Sequence, residues 1–303
     1  MTFAGRHLLT LAELSREEIY EVLEWSRLLK GKISHELAGR TLALIFRKPS
    51  TRTRVSFEVA MHQLGGHTVF LSAAESQLAR GESIKDTARV MSRYVDVIAM
   101  RTYAQEEIEE LARESRVPVI NALTDMYHPM QVLADLRTVL DHKGTLEGLT
   151  YAYVGAGNNM SHTWILAASI LGLELRVASP PGFGPSPDVL GLPEVAKHPP
   201  LLLEDPEEAV RGADVVVTDT WVSMGQEDTE AERRRVFGPY QVNPALVSLA
   251  APDHIFLHCM PAHVGEEVTE EVLYGPNSVV LDEAENRLHV QKAWLAAVLG
   301  VAP

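Results

Sequence analysis

Disulfide bonding is excluded at once, because Cys259 is the only cysteine in 303 residues, so the fold cannot depend on an oxidising compartment. Long apolar runs are missing too. The most apolar stretch, Trp164 to Leu173, falls well short of the roughly 20 residues that cross a bilayer. The opening Met1-Thr2-Phe3-Ala4-Gly5-Arg6-His7 lacks the apolar segment of a signal peptide. A soluble, cytoplasmic protein with no membrane partner is expected. Positive charge is scarce: 27 Lys and Arg face 41 Asp and Glu, a formal net charge of −14. Such a chain repels a phosphate polymer, which argues against nucleic acid as a partner. A small anion is still allowed, since adjacent donors outweigh a distant, screened net charge. No internal repeat or low-complexity tract is present. The 46% hydrophobic and 22% charged residues fit an ordinary globular core, and the length favours two domains.

The apolar pattern alternates between strand-like and helix-like segments. Ser15-Arg16-Glu17-Glu18 has capping-box spacing before the stripe Ile19, Val22, Leu23 and Leu28. A strand at Leu42–Phe46 precedes a helix that Gly65-Gly66 stops. Strands follow at Thr68–Leu71, Val97–Met100 and Val117–Leu123, with helices at Ser83–Tyr94, Gln105–Glu114 and Pro129–His142. A second series has strands at Leu149–Val154, Leu175–Ala178, Val215–Val217, Ile255–Leu257 and Val279–Leu281. Within it a helix runs to Leu171, Pro180–Pro200 reads as a surface insertion, and a helix at Arg287–Leu299 ends the chain. The expected fold class is α/β, with two doubly wound parallel-sheet domains and an active site in the cleft between them. The expected boundaries are 1–138, 139–284, and a C-terminal helix, 285–303, returning to the first domain.

The densest positive charge is local. Four cations fall in eight residues, Arg47-Lys48-Pro49-Ser50-Thr51-Arg52-Thr53-Arg54, with no acid among them. The run sits between a strand and a helix start, where free N–H groups, the helix dipole and arginine forks all favour a phosphate. A solvated basic turn is the plainer alternative. Other polar clusters also follow apolar strands directly: Arg101 after Met100, and His128-Pro129-Met130-Gln131 after Leu123. Arg101 and His128 supply donors suited to a phosphate and an adjoining carbonyl oxygen, although a histidine before a proline also serves as a structural cap.

Ser-Thr-Arg-Thr-Arg, followed about 75 residues later by His-Pro-x-Gln, resembles the carbamoyltransferase family. The resemblance implies that Ser50, Thr51, Arg52 and Thr53 hold the phosphate of carbamoyl phosphate, while Arg101, His128 and Gln131 bind and polarise its carbamoyl end. Gly155-Ala156-Gly157-Asn158-Asn159-Met160 comes near a dinucleotide fingerprint, but Met160 stands where the third glycine belongs. It is more similar to the Gly-Asn-Asn motif of the ornithine-using branch, with Ala156 in place of the usual Asp. Asp219-Thr220-Trp221-Val222-Ser223-Met224-Gly225 resembles that branch's specificity loop, although an isolated reading leaves a helix cap and loop open. On this resemblance Asp219 and Ser223 take the ornithine α-amino group, and Asn159 and the Met224 backbone take its carboxylate.

His258-Cys259-Met260-Pro261-Ala262-His263 makes a poor zinc set, having one thiol and no paired-ligand spacing. It resembles the family's His-Cys-Leu-Pro-Ala-His segment, with Met260 for Leu, a volume-conserving exchange. Cys259 and the Met260 carbonyl would then face the reacting amine. Arg287 matches the family arginine that reaches carbamoyl phosphate from the C-terminal element, and Gln77 matches a residue lent by a neighbouring subunit in a homotrimer. The resemblance implies transfer of a carbamoyl group from carbamoyl phosphate to the δ-amine of L-ornithine, giving citrulline and phosphate, within arginine biosynthesis. Arg101, His128 and Cys259 would be the catalytic residues, and no cofactor or metal is called for. Three alternatives stand beside it: carbamoylation of aspartate or a modified ornithine, a nicotinamide-dependent dehydrogenase, and a non-catalytic relative.

Overall fold

A computed structural model describes residues 3–72, 77–222 and 230–301. The chain divides into two units, one formed by residues up to Ala134 together with those from Asn286 onward, the other by Asp135–Glu285.

The first unit is built on a four-stranded parallel sheet of β1 (Thr41–Phe46), β2 (His67–Ser72), β3 (Val97–Arg101) and β4 (Val119–Leu123), ordered β2-β1-β3-β4. Leu42 to Phe46 and Val97 to Arg101 are buried without alternation, as expected where a parallel sheet is covered on both faces. The edge strand β2 instead has no buried residue, its positions being exposed or half-buried. The helices are α1 (Arg16–Leu29), α2 (Thr51–Gln63), α3 (Ile84–Met91), α4 (Gln105–Glu114) and the start of α5 (Pro129–Lys143), which belongs to the second unit from Asp135 onward. The capping box predicted at Ser15 is present, with Ser15 and Glu18 each accepting the other's backbone N–H. One core cluster joins Ile45, Ile98 and Met100 of the sheet to Ile108 and Leu111 of α4. Gly65 ends α2 at φ +86°, where a β-carbon would lie 2.6 Å from the His35 Cα, so both conformation and space require glycine.

The second unit holds a five-stranded parallel sheet of β5 (Thr150–Val154), β6 (Glu174–Ala178), β7 (Leu201–Leu203), β8 (Val215–Thr218) and β9 (Ile255–His258), ordered β7-β6-β5-β8-β9. Its helices are α6 (Asn159–Leu171), α7 (Pro187–Leu190), α8 (Pro193–Lys197), α9 (Pro206–Val210), α10 (Glu230–Phe237), α11 (Pro244–Val247) and α12 (Glu270–Leu273). α6 is apolar almost all round and correspondingly buried. The core gathers Val154, Val216, Phe237, Phe256 and Val268. The last helix, α13, covers Val280–Val298.

One sequence expectation is corrected and another refined. Val279–Leu281 is not a strand: α13 starts at Val280, with Asp282 and Glu283 in its first turn, where the helix dipole favours acids. A three-residue apolar run could not distinguish these alternatives. The Pro180–Pro200 excursion lies largely at the surface, as expected, but is more structured than a plain insertion. It contains α7 and α8, buries Val189 and Val195, and donates the Ser186 N–H to His162 Nε2 of α6 at 3.0 Å. The edge strand β7 was not anticipated, and Leu201 and Leu202 remain exposed on it. Among the described residues, no helix is long and apolar enough to cross a membrane.

Candidate active site

In the first unit the polar clusters stand at the carboxyl ends of β1, β3 and β4, as their positions after apolar runs predict. Ser50 is the N-cap of α2: its hydroxyl accepts the Thr53 N–H at 3.3 Å and donates to Thr53 Oγ1 at 3.0 Å. Thr53 is wholly buried, while Thr51 and Arg52 are exposed beside it. Arg287 of α13 is buried and donates from Nη2 to Thr53 Oγ1 at 2.7 Å. Two arms of the expected phosphate site, 234 residues apart, therefore meet directly.

The remaining cations of the turn support it. Lys48 is buried with its ammonium on the Asp125 carboxylate and 4.3 Å from the Tyr103 ring centroid. Arg47 pairs with Glu107. Arg54 pairs with Glu58 at 2.9 Å and lies 3.8 Å over Phe70. The burial of Lys48 was not legible in sequence, since its partner lies 77 positions away.

Arg101 sits at a register shift between β3 and β4 and is buried, as are His128 and Gln131 at the start of α5. Burial first, then the charges of Arg287 and Arg101, hold the His128 imidazole well below its ordinary pKa. The ring is therefore neutral at pH 7 and can donate one hydrogen bond without carrying charge. Gln77 is exposed at the head of a 3₁₀ turn, Gln77–Arg80.

In the second unit three adjacent strands, β5, β8 and β9, present Asn158-Asn159, Asp219 and Cys259 at their carboxyl ends. Asp219 is buried; its Oδ1 accepts the Cys259 thiol at 3.1 Å and its Oδ2 accepts Asn158 Nδ2 at 2.7 Å. Burial, the Asp219 charge and the hydrogen bond to it push the Cys259 thiol well above its ordinary pKa. The group is consequently a neutral thiol at pH 7, not a thiolate nucleophile. Asn159 is half-buried in the first turn of α6. Ser223 and Met224 lie outside the described residues.

Met260 adopts φ +52°, and its N–H donates to His258 Nδ1 at 2.9 Å. That bond makes Nδ1 the acceptor, so Nε2 carries the hydrogen that faces Glu267 Oε1 at 3.1 Å. Asp219, His258 and Cys259 offer ligand atoms within 4.8 Å of one another, but both imidazole nitrogens of His258 are engaged in these contacts. Glu267 and His258 act as supports that sequence reading missed. Their nine-residue separation follows neither helix nor strand periodicity.

The dinucleotide alternative meets a steric obstacle. In a nucleotide fingerprint the second glycine leaves room for a pyrophosphate. Here Gly157 donates its N–H to Phe183 O at 2.7 Å, and a β-carbon there would lie 2.0 Å from Gly184 O. The chain's own backbone fills the place a cofactor would approach.

The aspartate/ornithine carbamoyltransferase carbamoyl-P binding domain matches residues 6–141, and the Asp/Orn binding domain of the same family matches 147–298. An ornithine carbamoyltransferase of Geobacter sulfurreducens is 54% identical over 300 residues, covering 97% of this chain and 99% of the relative. An anabolic ornithine carbamoyltransferase of Pyrococcus furiosus is 52% identical, covering 99% and 98%. A solved ornithine carbamoyltransferase structure from Pyrococcus furiosus superposes with a TM-score of 0.95 at 51% identity, covering 99% of both chains. With both domain models matched and relatives about half identical over nearly the whole chain, the chain belongs to the aspartate/ornithine carbamoyltransferase family.

Proposed function

We propose that this protein is an ornithine carbamoyltransferase, moving the carbamoyl group of carbamoyl phosphate onto the δ-amine of L-ornithine to give L-citrulline and phosphate. The observation that carries the choice of amine is buried Asp219, held by Asn158 on one oxygen and facing Cys259 with the other. This is a fixed anion suited to an amino acid's ammonium. An aspartate-using enzyme must instead accommodate a second substrate carboxylate, which this charge opposes.

Residues 1–138 with the C-terminal helix hold carbamoyl phosphate, and 139–284 hold ornithine. Ser50, Thr51, Arg52 and Thr53 bind the phosphate, with Arg287 and a neighbouring subunit's copy of Gln77. Arg101, His128 and Gln131 bind the carbamoyl end, and Cys259 and the Met260 carbonyl face the reacting amine. Asp219 and Ser223 take the α-ammonium; Asn159 and the Met224 backbone take the carboxylate. The deprotonated δ-amine attacks the carbonyl carbon, and Thr53, Arg101 and His128 stabilise the oxyanion of the tetrahedral intermediate. Each such donor is worth about 10²–10³ in turnover. Collapse expels phosphate, which Arg52 stabilises by bidentate contact and which accepts the amine proton. Arg101, His128 and Cys259 are the catalytic residues. The protein works as a cytoplasmic homotrimer in arginine biosynthesis.

The test is citrulline formation from carbamoyl phosphate with ornithine, putrescine, N-acetylornithine and aspartate as competing amines. Ornithine should be carbamoylated far ahead of the others. Preference for another amine would overturn the assignment. Light scattering should give about 100 kDa for three chains of 33.4 kDa.

A further inference from the structure

We propose that Asn158 is a positioning residue for the transfer reaction, holding the Asp219 carboxylate in the orientation that meets the ornithine ammonium. The inference rests on the reading above and adds to the ornithine site a residue that does not itself touch substrate.

The Asn158 amide is held in one orientation by its partners. Its Oδ1 accepts three hydrogen bonds: from Met160 N at 3.0 Å, from Ser161 N at 3.2 Å and from the Tyr153 hydroxyl at 3.1 Å. The two backbone groups can only donate, so the oxygen must face them and the amide cannot be turned over. Nδ2 is thereby aimed at Asp219 Oδ2, 2.7 Å away, a charge-assisted bond at the short end of its range. Asn158 and Tyr153 are both buried, which removes the competition with water that weakens such a bond at a surface. With Oδ2 tied down, Asp219 can rotate only by breaking this bond. Oδ1 is left on the side of the Cys259 thiol.

The same side chain therefore has two jobs. Its oxygen caps α6, including a reciprocal bond from its own N–H to Ser161 Oγ at 2.9 Å. Its nitrogen orients a carboxylate 61 positions away. Capping alone can be done by serine or aspartate. Orienting Asp219 cannot, because serine is too short to cap and reach together, and aspartate sets a second carboxylate against the first.

Asn158→Ser separates the two jobs. Positioning predicts a thermal midpoint close to wild type and a KM for ornithine raised about tenfold or more, with the KM for carbamoyl phosphate within about twofold. Asn158→Asp should raise the ornithine KM at least as far. In the Asp219→Ala background, Asn158→Ser should add little, because the group it acts through is gone. An unchanged ornithine KM in Asn158→Ser, or effects of the two substitutions that multiply in full, would overturn the inference. Wild-type turnover of ornithine is the separate check on the function itself. A crystal structure of Asn158→Ser decides the inference independently of substrate: an Asp219 carboxylate still in its original rotamer, Oδ1 on the Cys259 sulfur, would refute it.

Discussion

The contact between Asp219 and Cys259 makes a quantitative prediction that needs no substrate. Asp219→Asn removes a negative charge 3.1 Å from the sulfur. Two unit charges at that distance interact by about 5 kcal/mol at an effective dielectric near 20. Cys259 is partly exposed, so solvent screening reduces this to about 2.5 kcal/mol. Geometry adds in the same direction. The new amide keeps its oxygen toward Asn158 Nδ2 and turns its NH₂ to the sulfur, replacing a hydrogen-bond acceptor with a donor. At fixed pH below the thiol's titration, the thiolate fraction should rise about 50- to 100-fold, since about 1.4 kcal/mol is a factor of ten. The observed alkylation rate should rise less, because a less basic thiolate is a weaker nucleophile, with a Brønsted slope of about 0.4–0.5. The net expectation is about tenfold faster reaction with iodoacetamide near pH 8. The assay reads mass addition to intact protein, and with one cysteine in the chain every added adduct reports Cys259. A change below about twofold, or a slower reaction in a variant with native circular dichroism, would refute the electrostatic reasoning.

Two further predictions follow from burial. His128 is held below its ordinary pKa of 6.5 by burial, then Arg287 and Arg101, so the unfolded chain takes up a proton that the native state resists. Stability should be undiminished above about pH 6.5 and fall below it, by at most about 1.4 kcal/mol per pH unit from this group; urea midpoints from pH 7 to 5 should fall less steeply in His128→Asn, and equal slopes would count against the assignment. Gly157→Ala places a methyl against the Gly184–Pro185 backbone, with approaches of 2.0–2.5 Å. The overpacking should cost about 1–3 kcal/mol, visible as a lowered thermal midpoint, and an unaltered midpoint would show that the excursion yields freely.

Most of the parallel-sheet core was legible because buried parallel strands leave continuous apolar runs, as at Leu42–Phe46 and Val97–Met100. The strand-end residues were legible for a related reason. In Met100-Arg101, Leu257-His258-Cys259 and Thr218-Asp219 the apolar run stops at a group that needs a polar partner. What sequence concealed were partners distant along the chain. Lys48 looks like one more surface cation until Asp125 and Tyr103 are placed beside it. Val279–Leu281 looked like a strand because three apolar residues carry no usable periodicity, and the deciding signal was Asp282-Glu283 at a helix start. Pro180–Pro200 read as a surface insertion because prolines punctuate it, yet within it Pro187 and Pro193 each open a short helix, the position where a missing N–H costs least.

The glycine motif shows why residue type alone did not settle the chemistry. Gly155-x-Gly157 fits two opposite demands: room for a ligand's phosphates, or room for the protein's own backbone. Sequence cannot tell them apart, because each requires only that a side chain be absent. Gly184 and Pro185 decide for the second, and this changes what the helix start is for. The first-turn N–H groups of α6 at Met160 and Ser161 are spent on Asn158 Oδ1 instead of an anion, and this bond fixes the direction of the amide nitrogen. In α2 the corresponding cap, Ser50, engages Thr53 and leaves a cluster of arginines and hydroxyls beside the helix start. One strand-to-helix turn thus keeps donors at its helix start, as the proposed phosphate site requires. The other turns its cap inward to hold an anion of the protein's own, Asp219, the charge that the proposed ornithine site requires.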